Sequence, residues 1–212
     1  MAQARVKVRT ARTARTVRTA RRESRGESLF AERFAVFAEC LLTGVWVAVA
    51  SLGVLTCPAA LAAGARHLHR RIAHEGGGLR EFVADFRVAV RRGWVVGIAG
   101  WAVAGAVWVD VQAARAGIPG GPLVGAIGVF ALIGAVVALL RAAAAWTPDA
   151  GWWVLLAGAG RRTVLDPAGS FLIIGGLAVV SASAWFAAPL AVPVLGAVVA
   201  AAVAVEERYR HR

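Results

Sequence analysis

Four long runs without a charged residue constrain this chain more than any other feature. They cover residues 40–65, 93–109, 116–140 and 167–205, and the last extends over 39 residues. A helix needs roughly 20 apolar residues to cross the hydrocarbon core of a bilayer. Soluble proteins rarely hold several such runs, because a helix that is apolar on every side has no face to present to water. The runs therefore predict an integral membrane protein.

Length and composition predict one membrane domain. Of the 212 residues, 59% are hydrophobic and only 17% are charged, against about 25% in ordinary soluble proteins. We predict an all-α, polytopic transmembrane helical bundle with five full spans, a short Pro-initiated helix and amphipathic interfacial helices. The spans are expected at residues 34–56, 93–109, 123–140, 169–187 and 190–205. This leaves no room for an added soluble enzyme domain.

The N-terminal segment differs in composition from the rest. Residues 1–28 are of low complexity, with an arginine at every third position from Arg9 to Arg21. We expect this tail to be disordered and cytoplasmic, able to bind anionic lipid, and followed by a single membrane domain over residues 29–212. The net charge of +12 would also suit nucleic acid. We interpret it instead as the positive charge that flanks membrane spans on the cytoplasmic side, and expect no nucleic-acid partner.

The segments between the spans contain shorter helices. One begins at Pro58 and extends to residue 74, before the glycines at 76–78. Residues 79–92 repeat apolar side chains at helical spacing and predict an interfacial helix. We expect a linker over residues 110–122. A second interfacial helix over residues 151–160 contains Trp152 and Trp153, a residue type common at headgroup level.

Charge predicts which side of the membrane each connection occupies, and it raises a conflict. The tail, residues 66–92, residues 141–162 and the C-terminus are basic, so we expect all of them in the cytoplasm of a cell whose inner membrane holds the protein. One crossing cannot join a cytoplasmic tail to a cytoplasmic 66–92 segment. Either the tail is outside, or the helix after Pro58 returns beside the first span. We favour the second solution.

No pattern of catalytic residues is present. The sequence lacks paired central carboxylates, a Ser-His-Asp set and a cofactor fingerprint, so we expect no enzyme and no cofactor. Glu39 and Asp110 lie at span ends, where a carboxylate can reach the polar edge. His67, His69 and His74 do not share one helix face, so we predict no metal site. The arginines near span ends form a candidate basic interfacial cluster: Arg66, Arg70, Arg71, Arg91, Arg92, Arg161 and Arg162.

A second candidate motif lies around the first span. Trp46 precedes the stretch Leu52-Gly53-Val54-Leu55-Thr56-Cys57-Pro58-Ala59-Ala60-Leu61. Phe82, Phe86, Arg87 and Arg92 follow on the next helix. Over residues 43–97 this arrangement resembles the YesL-like family of bacterial membrane proteins, a domain family of unknown function. Thr43 stands where the family has an asparagine. The candidate motif residues are Thr43, Trp46, Thr56 and Pro58.

The resemblance implies an accessory role in carbohydrate or other solute uptake. Partners would then be subunits of an ABC-type sugar transporter, and the protein would act by helix packing. Two alternatives stay open. The chain could be a small-solute transporter or channel in its own right, with Thr43, Ser51, Ser181 and Ser183 as its few mid-span polar groups. It could also be a membrane-surface module that binds anionic lipid through the basic tail.

Overall fold

The computed structural model describes residues 34–53, 55–73, 75 and 78–210, and over these ranges the chain is helical without any strand. The chain divides into two units, Met1–Glu39 and Cys40–Arg212. The first unit is described only from residue 34, where it is helical and mostly exposed. The predicted disordered tail, residues 1–28, lies outside the described residues.

Seven helices follow one another in the described chain, and we number them in order. The first, α1, covers Phe34–Gly53 and ends in the 3-10 turn Ser51–Gly53. The others are α2 (Cys57–Ile72), α3 (Leu79–Arg115), α4 (Gly121–Ala144), α5 (Trp152–Leu165), α6 (Pro167–Phe186) and α7 (Ala188–Arg210).

Four of the helices are long and apolar enough to cross a membrane, counted over the described residues: α1, α3, α4 and α6. They correspond to the spans predicted at 34–56, 93–109, 123–140 and 169–187. The all-helical class and the apolar membrane helices are thus confirmed. The fifth predicted span, 190–205, lies within the 23 residues of α7 and stays a prediction.

The predicted linker over residues 110–122 was too long. Helix α3 continues to Arg115 and α4 begins at Gly121, because none of residues 110–115 interrupts a helix. The turn is made by Gly117 and Gly120, whose positive φ angles of 75° and 81° suit a residue without a Cβ. Residues 79–92, predicted as an interfacial helix that leads straight into the span at 93–109, form the first part of α3 without a break.

Helix α2 lies in the interior of the second unit. Residues 58–65 are all buried, and α2 contacts α3, α4 and α7. Its alanines and Gly64 let these neighbours approach closely, as small residues do in membrane helix packing. The face of α3 that contacts protein includes Phe82 and Ala89, which are also buried.

Helices α1 and α2 form a hairpin. The ring of Trp46 on α1 contacts that of His67 on α2, with centroids 5.0 Å apart. At the turn, the Thr56 hydroxyl donates a 2.6 Å hydrogen bond to the carbonyl of Ala50. The chain therefore reverses direction between α1 and α2, as the second solution to the charge conflict requires.

Candidate functional site

Six helices of the second unit meet at one of its ends, and most of the charged side chains of the described residues lie there. Helices α2, α4, α5 and α7 end there, and α3 and α6 begin there, as the ion pairs between them show. We call this region the charged end. Over the described residues, its paired side chains are Arg66, His69, Arg70, Asp85, Arg141, Arg162, Asp166, Glu206, Glu207, Arg208 and Arg210.

Asp166 joins three helices within the charged end. Nη2 of Arg141 on α4 donates to Oδ2 of Asp166 at 3.0 Å and to its carbonyl oxygen at 3.2 Å. Arg208 on α7 approaches the same carboxylate at 3.5 Å. The N–H of Gly169 donates to Oδ1, so Asp166 also caps the first turn of α6. The Arg141 side chain is 0% exposed and that of Asp166 only 3%.

Opposing effects act on the pKa of Asp166. Burial raises it, because a charged carboxylate loses solvation. The hydrogen bonds from Arg141 and from the Gly169 N–H lower it, as do the charges of Arg141 and Arg208. The net result is a pKa below the ordinary value, so Asp166 is ionised at neutral pH.

A second acid, Asp85, joins α2 to α3. Arg70 approaches Oδ2 of Asp85 at 2.8 Å, and Arg66 approaches Oδ1 at 3.3 Å. Although it is charged, Asp85 is buried on the packed face of α3. It lies three residues after Phe82 and four before Ala89, on the same buried face.

The end of α7 supplies two further links. Glu206, which is buried, pairs with Arg162 of α5 at 3.3 Å. Glu207 lies 3.5 Å from Nδ1 of His69, whose Nε2 is 3.1 Å from the carbonyl oxygen of Ala144 at the end of α4. Helices α2, α4, α5 and α7 are therefore linked here by polar contacts as well as by packing.

The candidate basic interfacial cluster divides into two sets in the structure. Arg66, Arg70 and Arg162 are held in ion pairs at the charged end. Arg71, Arg91, Arg92 and Arg161 are exposed. The sequence pattern identified the basic residues but not the acids that hold the first set, because each acid is distant in the chain from its arginine.

The candidate motif residues lie around the α1–α2 hairpin. Thr43 is buried, and its methyl group would lie 3.3 Å from a Cβ placed on Gly64. Trp46 packs on His67 and on Phe82 of α3, with ring centroids 5.0 and 5.5 Å apart. Thr56 closes the turn, and Pro58 is in the first turn of α2. Each residue has a packing or turn-forming contact.

Metal binding finds no support in the part of the chain that the structure describes. It contains no group of three His, Cys, Asp or Glu side chains placed to hold an ion. His67 is buried beside Trp46, and His69 is directed toward α4 and α7. His74 lies outside the described residues.

Comparison with protein-family models, characterised proteins and solved structures finds no match to this chain. The resemblance to the YesL-like family therefore stays a prediction.

Proposed function

We propose that this chain is a multi-pass protein of the inner cell membrane, crossed by α1, α3, α4, α6 and α7. Helix α2 returns toward the charged end inside the protein. Its 16 residues give about 24 Å at 1.5 Å per residue, less than the roughly 30 Å of a hydrocarbon core. This path places both termini on the side of the charged end, which the positive-inside rule assigns to the cytoplasm.

A reporter fused to the N-terminus tests this path. We expect activity of a cytoplasmic reporter, such as a fluorescent protein that matures only inside the cell. Activity of a reporter that works only outside the cytoplasm would contradict the return of α2, because the tail and residues 66–92 would then lie on opposite sides.

We further propose that the protein is an accessory component of solute uptake, carbohydrate uptake in particular, and that it acts by lateral helix packing. The observation that carries the packing role is the large apolar surface left exposed on its membrane helices. Leu123, Ile127 and Phe130 illustrate it, since they share one side of α4 and are all exposed. The link to carbohydrate uptake rests on the YesL-like resemblance of residues 43–97.

The transporter alternative has less support, because it requires polar side chains that line one path through the membrane. Thr43 is buried on α1 against α2, whereas Ser181 is exposed on α6 and donates to the carbonyl of Leu177. These two side chains do not line one path. The membrane-surface alternative depends on residues 1–28, outside the described residues.

Site-specific photo-crosslinking in the native membrane tests the accessory role. A photoreactive phenylalanine analogue at Phe130, which is 76% exposed, should form an adduct with a permease or ATPase of a solute-uptake system. The matched control is the same analogue at Val137, two turns further along α4 and 0% exposed, which should form none.

Adducts with lipid alone at Phe130 and at the other exposed positions of α4 would contradict the accessory role. Solute flux into liposomes that hold only this protein, above that of empty liposomes, would favour the transporter alternative instead.

A further inference from the structure

One side of α3 is exposed along its whole length. The exposed residues follow one another at intervals of four and three residues, and this spacing keeps them on a single side of the helix. We call this side the α3 seam. It consists of Arg80, Ala84, Arg87, Arg91, Trp94, Ile98, Trp101, Gly105, Trp108, Gln112 and Arg115, all of them exposed. The opposite side, including Phe82, Ala89 and Val96, is buried against the protein.

The side chains of the α3 seam change from basic to apolar at residue 93, where the uncharged run 93–109 begins. The first part of the seam carries Arg80, Arg87 and Arg91, and from Trp94 onward it is apolar as far as Trp108. A helix that enters a bilayer at residue 93 would hold Arg87 and Arg91 at the level of the lipid phosphates. Trp94 and Ile98 would then lie at the start of the acyl chains.

Arg87 and Arg91 differ from the paired arginines Arg66 and Arg70. Arg66 and Arg70 share Asp85, whereas Arg87 and Arg91 have no carboxylate within 4.0 Å over the described residues. Two exposed positive charges four residues apart on one helix side thus have no counter-ion among the residues that the structure describes.

An open groove lies beside Arg87. It has a volume of about 570 Å³ and is lined by Leu79, Arg80, Val83, Ala84 and Arg87. Three of these five lining residues are apolar and two are arginines. A groove of this kind suits an amphiphile whose anionic group contacts arginine while its hydrocarbon contacts the apolar lining.

We propose that the α3 seam binds an anionic phospholipid of the cytoplasmic leaflet. Its phosphate contacts Arg87 and Arg91, and an acyl chain lies along Trp94 and Ile98. Guanidinium groups bind phosphate oxygens through paired hydrogen bonds. A phospholipid has an anionic group followed by hydrocarbon, and the seam has arginines followed by apolar side chains. One lipid molecule can therefore contact both the basic and the apolar part of the seam. The inference requires membrane insertion but not the accessory role.

A second copy of the chain fits the α3 seam less well. Two copies in one membrane have the same orientation, so pairing through the seam would bring Arg87 and Arg91 against their own counterparts. Like charges in contact oppose association. The exposed Trp94 and Trp108 would also hold the two helix axes apart, whereas close membrane pairs use small residues.

Quenching of Trp94 fluorescence by brominated lipid tests the proposal. The full chain is placed in phosphatidylcholine nanodiscs with a small mole fraction of phosphatidylglycerol whose acyl chains carry bromine. Subtracting the signal of Trp94→Phe isolates Trp94 from the other seven tryptophans of the eight. We expect brominated phosphatidylglycerol to quench Trp94 well beyond its mole fraction, and brominated phosphatidylcholine to quench in proportion to it.

Substitutions test whether Arg87 and Arg91 cause the preference for phosphatidylglycerol. Each arginine near an anionic surface should contribute about fivefold, so Arg87→Gln with Arg91→Gln should reduce the preference for phosphatidylglycerol by more than about tenfold. The matched control is Arg115→Gln, on the same seam at the opposite end of α3, which should keep the preference.

Equal quenching of Trp94 by the two brominated lipids in the unaltered protein would overturn the proposal without any variant. Full selectivity in the double variant would also overturn it, because another basic segment would then be the source. Absence of quenching by either lipid would indicate that a protein helix, not a lipid, covers the seam.

Discussion

At the scale of single residues, the carboxylate of Asp166 joins three helices. It accepts from Arg141, approaches Arg208 and caps α6. Nε and Nη1 of Arg141 are buried with no hydrogen-bond partner among the described residues, so the arginine depends on this one acid. Removing one partner of a buried ion pair leaves an uncompensated charge, which is more harmful than removing both.

We therefore expect Asp166→Asn to lower the free energy of unfolding by about 3 kcal/mol. Asparagine keeps the oxygen that accepts from Gly169, so the variant tests the charge and not the cap. Thermal or denaturant unfolding in detergent measures the change. Asp149→Asn, at an exposed acid, is the matched control and should stay within about 0.5 kcal/mol.

Adding Arg141→Met to Asp166→Asn should recover part of the lost stability, because the uncompensated charge is then removed as well. If Asp166→Asn and Asp149→Asn destabilise equally, the Asp166 ion pairs do not hold the three helices.

Asp166 also predicts how the free energy of unfolding depends on pH. The pKa of Asp166 is lowered in the folded protein from an ordinary value of 3.8. A lowered pKa means that the stabilising contribution is complete above the unfolded value and is lost as the pH falls through the folded value. The stability difference between the unaltered protein and Asp166→Asn should thus be constant from pH 7 to about pH 5 and shrink below about pH 4. A difference that shrinks near neutral pH would contradict this.

At the scale of helices, the apolar runs predicted four membrane helices well but misplaced their ends. Hydropathy locates the part of a helix that suits lipid, and it does not report where backbone hydrogen bonding stops. Helix α3 shows the difference at its end, since it includes the 14 residues predicted as an interfacial helix before the span 93–109 but continues for six residues after that span. The glycines at 117 and 120, which make the turn after α3, do lie within the linker predicted at 110–122.

Contact between α1 and α7 depends on the absence of side chains at two glycines. A Cβ at Gly44 would lie 2.6 Å from the carbonyl oxygen of Val192 and 2.7 Å from the backbone nitrogen of Gly196. Backbone atoms cannot move aside as a side-chain tip can. We expect Gly44→Ala to lower the free energy of unfolding by about 1–3 kcal/mol through overpacking.

The matched control for this contact is Gly100→Ala, because a Cβ at Gly100 meets no atom within 4 Å. It should be neutral or slightly stabilising, since alanine favours a helix over glycine. The measurement is again unfolding in detergent. Equal effects of the two substitutions would show that helix propensity, and not the α1–α7 approach, determines the result.

At the scale of the whole molecule, the candidate site could be predicted only in part. The sequence showed that basic residues gather near span ends, and Arg66 and Arg162 are indeed at the charged end. It could not show which arginines are neutralised, because Asp85 and Glu206 come together with them only through the paths of α2, α3, α5 and α7. Pairing between distant segments is a property of the fold and has no local pattern.

These helix paths make a prediction about sidedness. The α3–α4 turn lies at the end of α3 opposite the charged end, whereas α2 and α5 both end at the charged end. In a background with the two native cysteines changed to alanine, single cysteines at Ile118, Ile72 and Arg161 report on these three places. All three native side chains are exposed, so labelling should depend on sidedness more than on burial.

A maleimide that cannot cross membranes should label Ile118→Cys in intact cells, and label Ile72→Cys and Arg161→Cys only after permeabilisation. The reason is that α2 returns to the side on which α3 begins, so Ile72 and Arg161 share a compartment. If all three assignments are inverted, the helix paths hold and the positive-inside assignment is wrong. If Ile72→Cys is labelled with Ile118→Cys, α2 does not return, and the charged end cannot form in the membrane as the ion pairs place it.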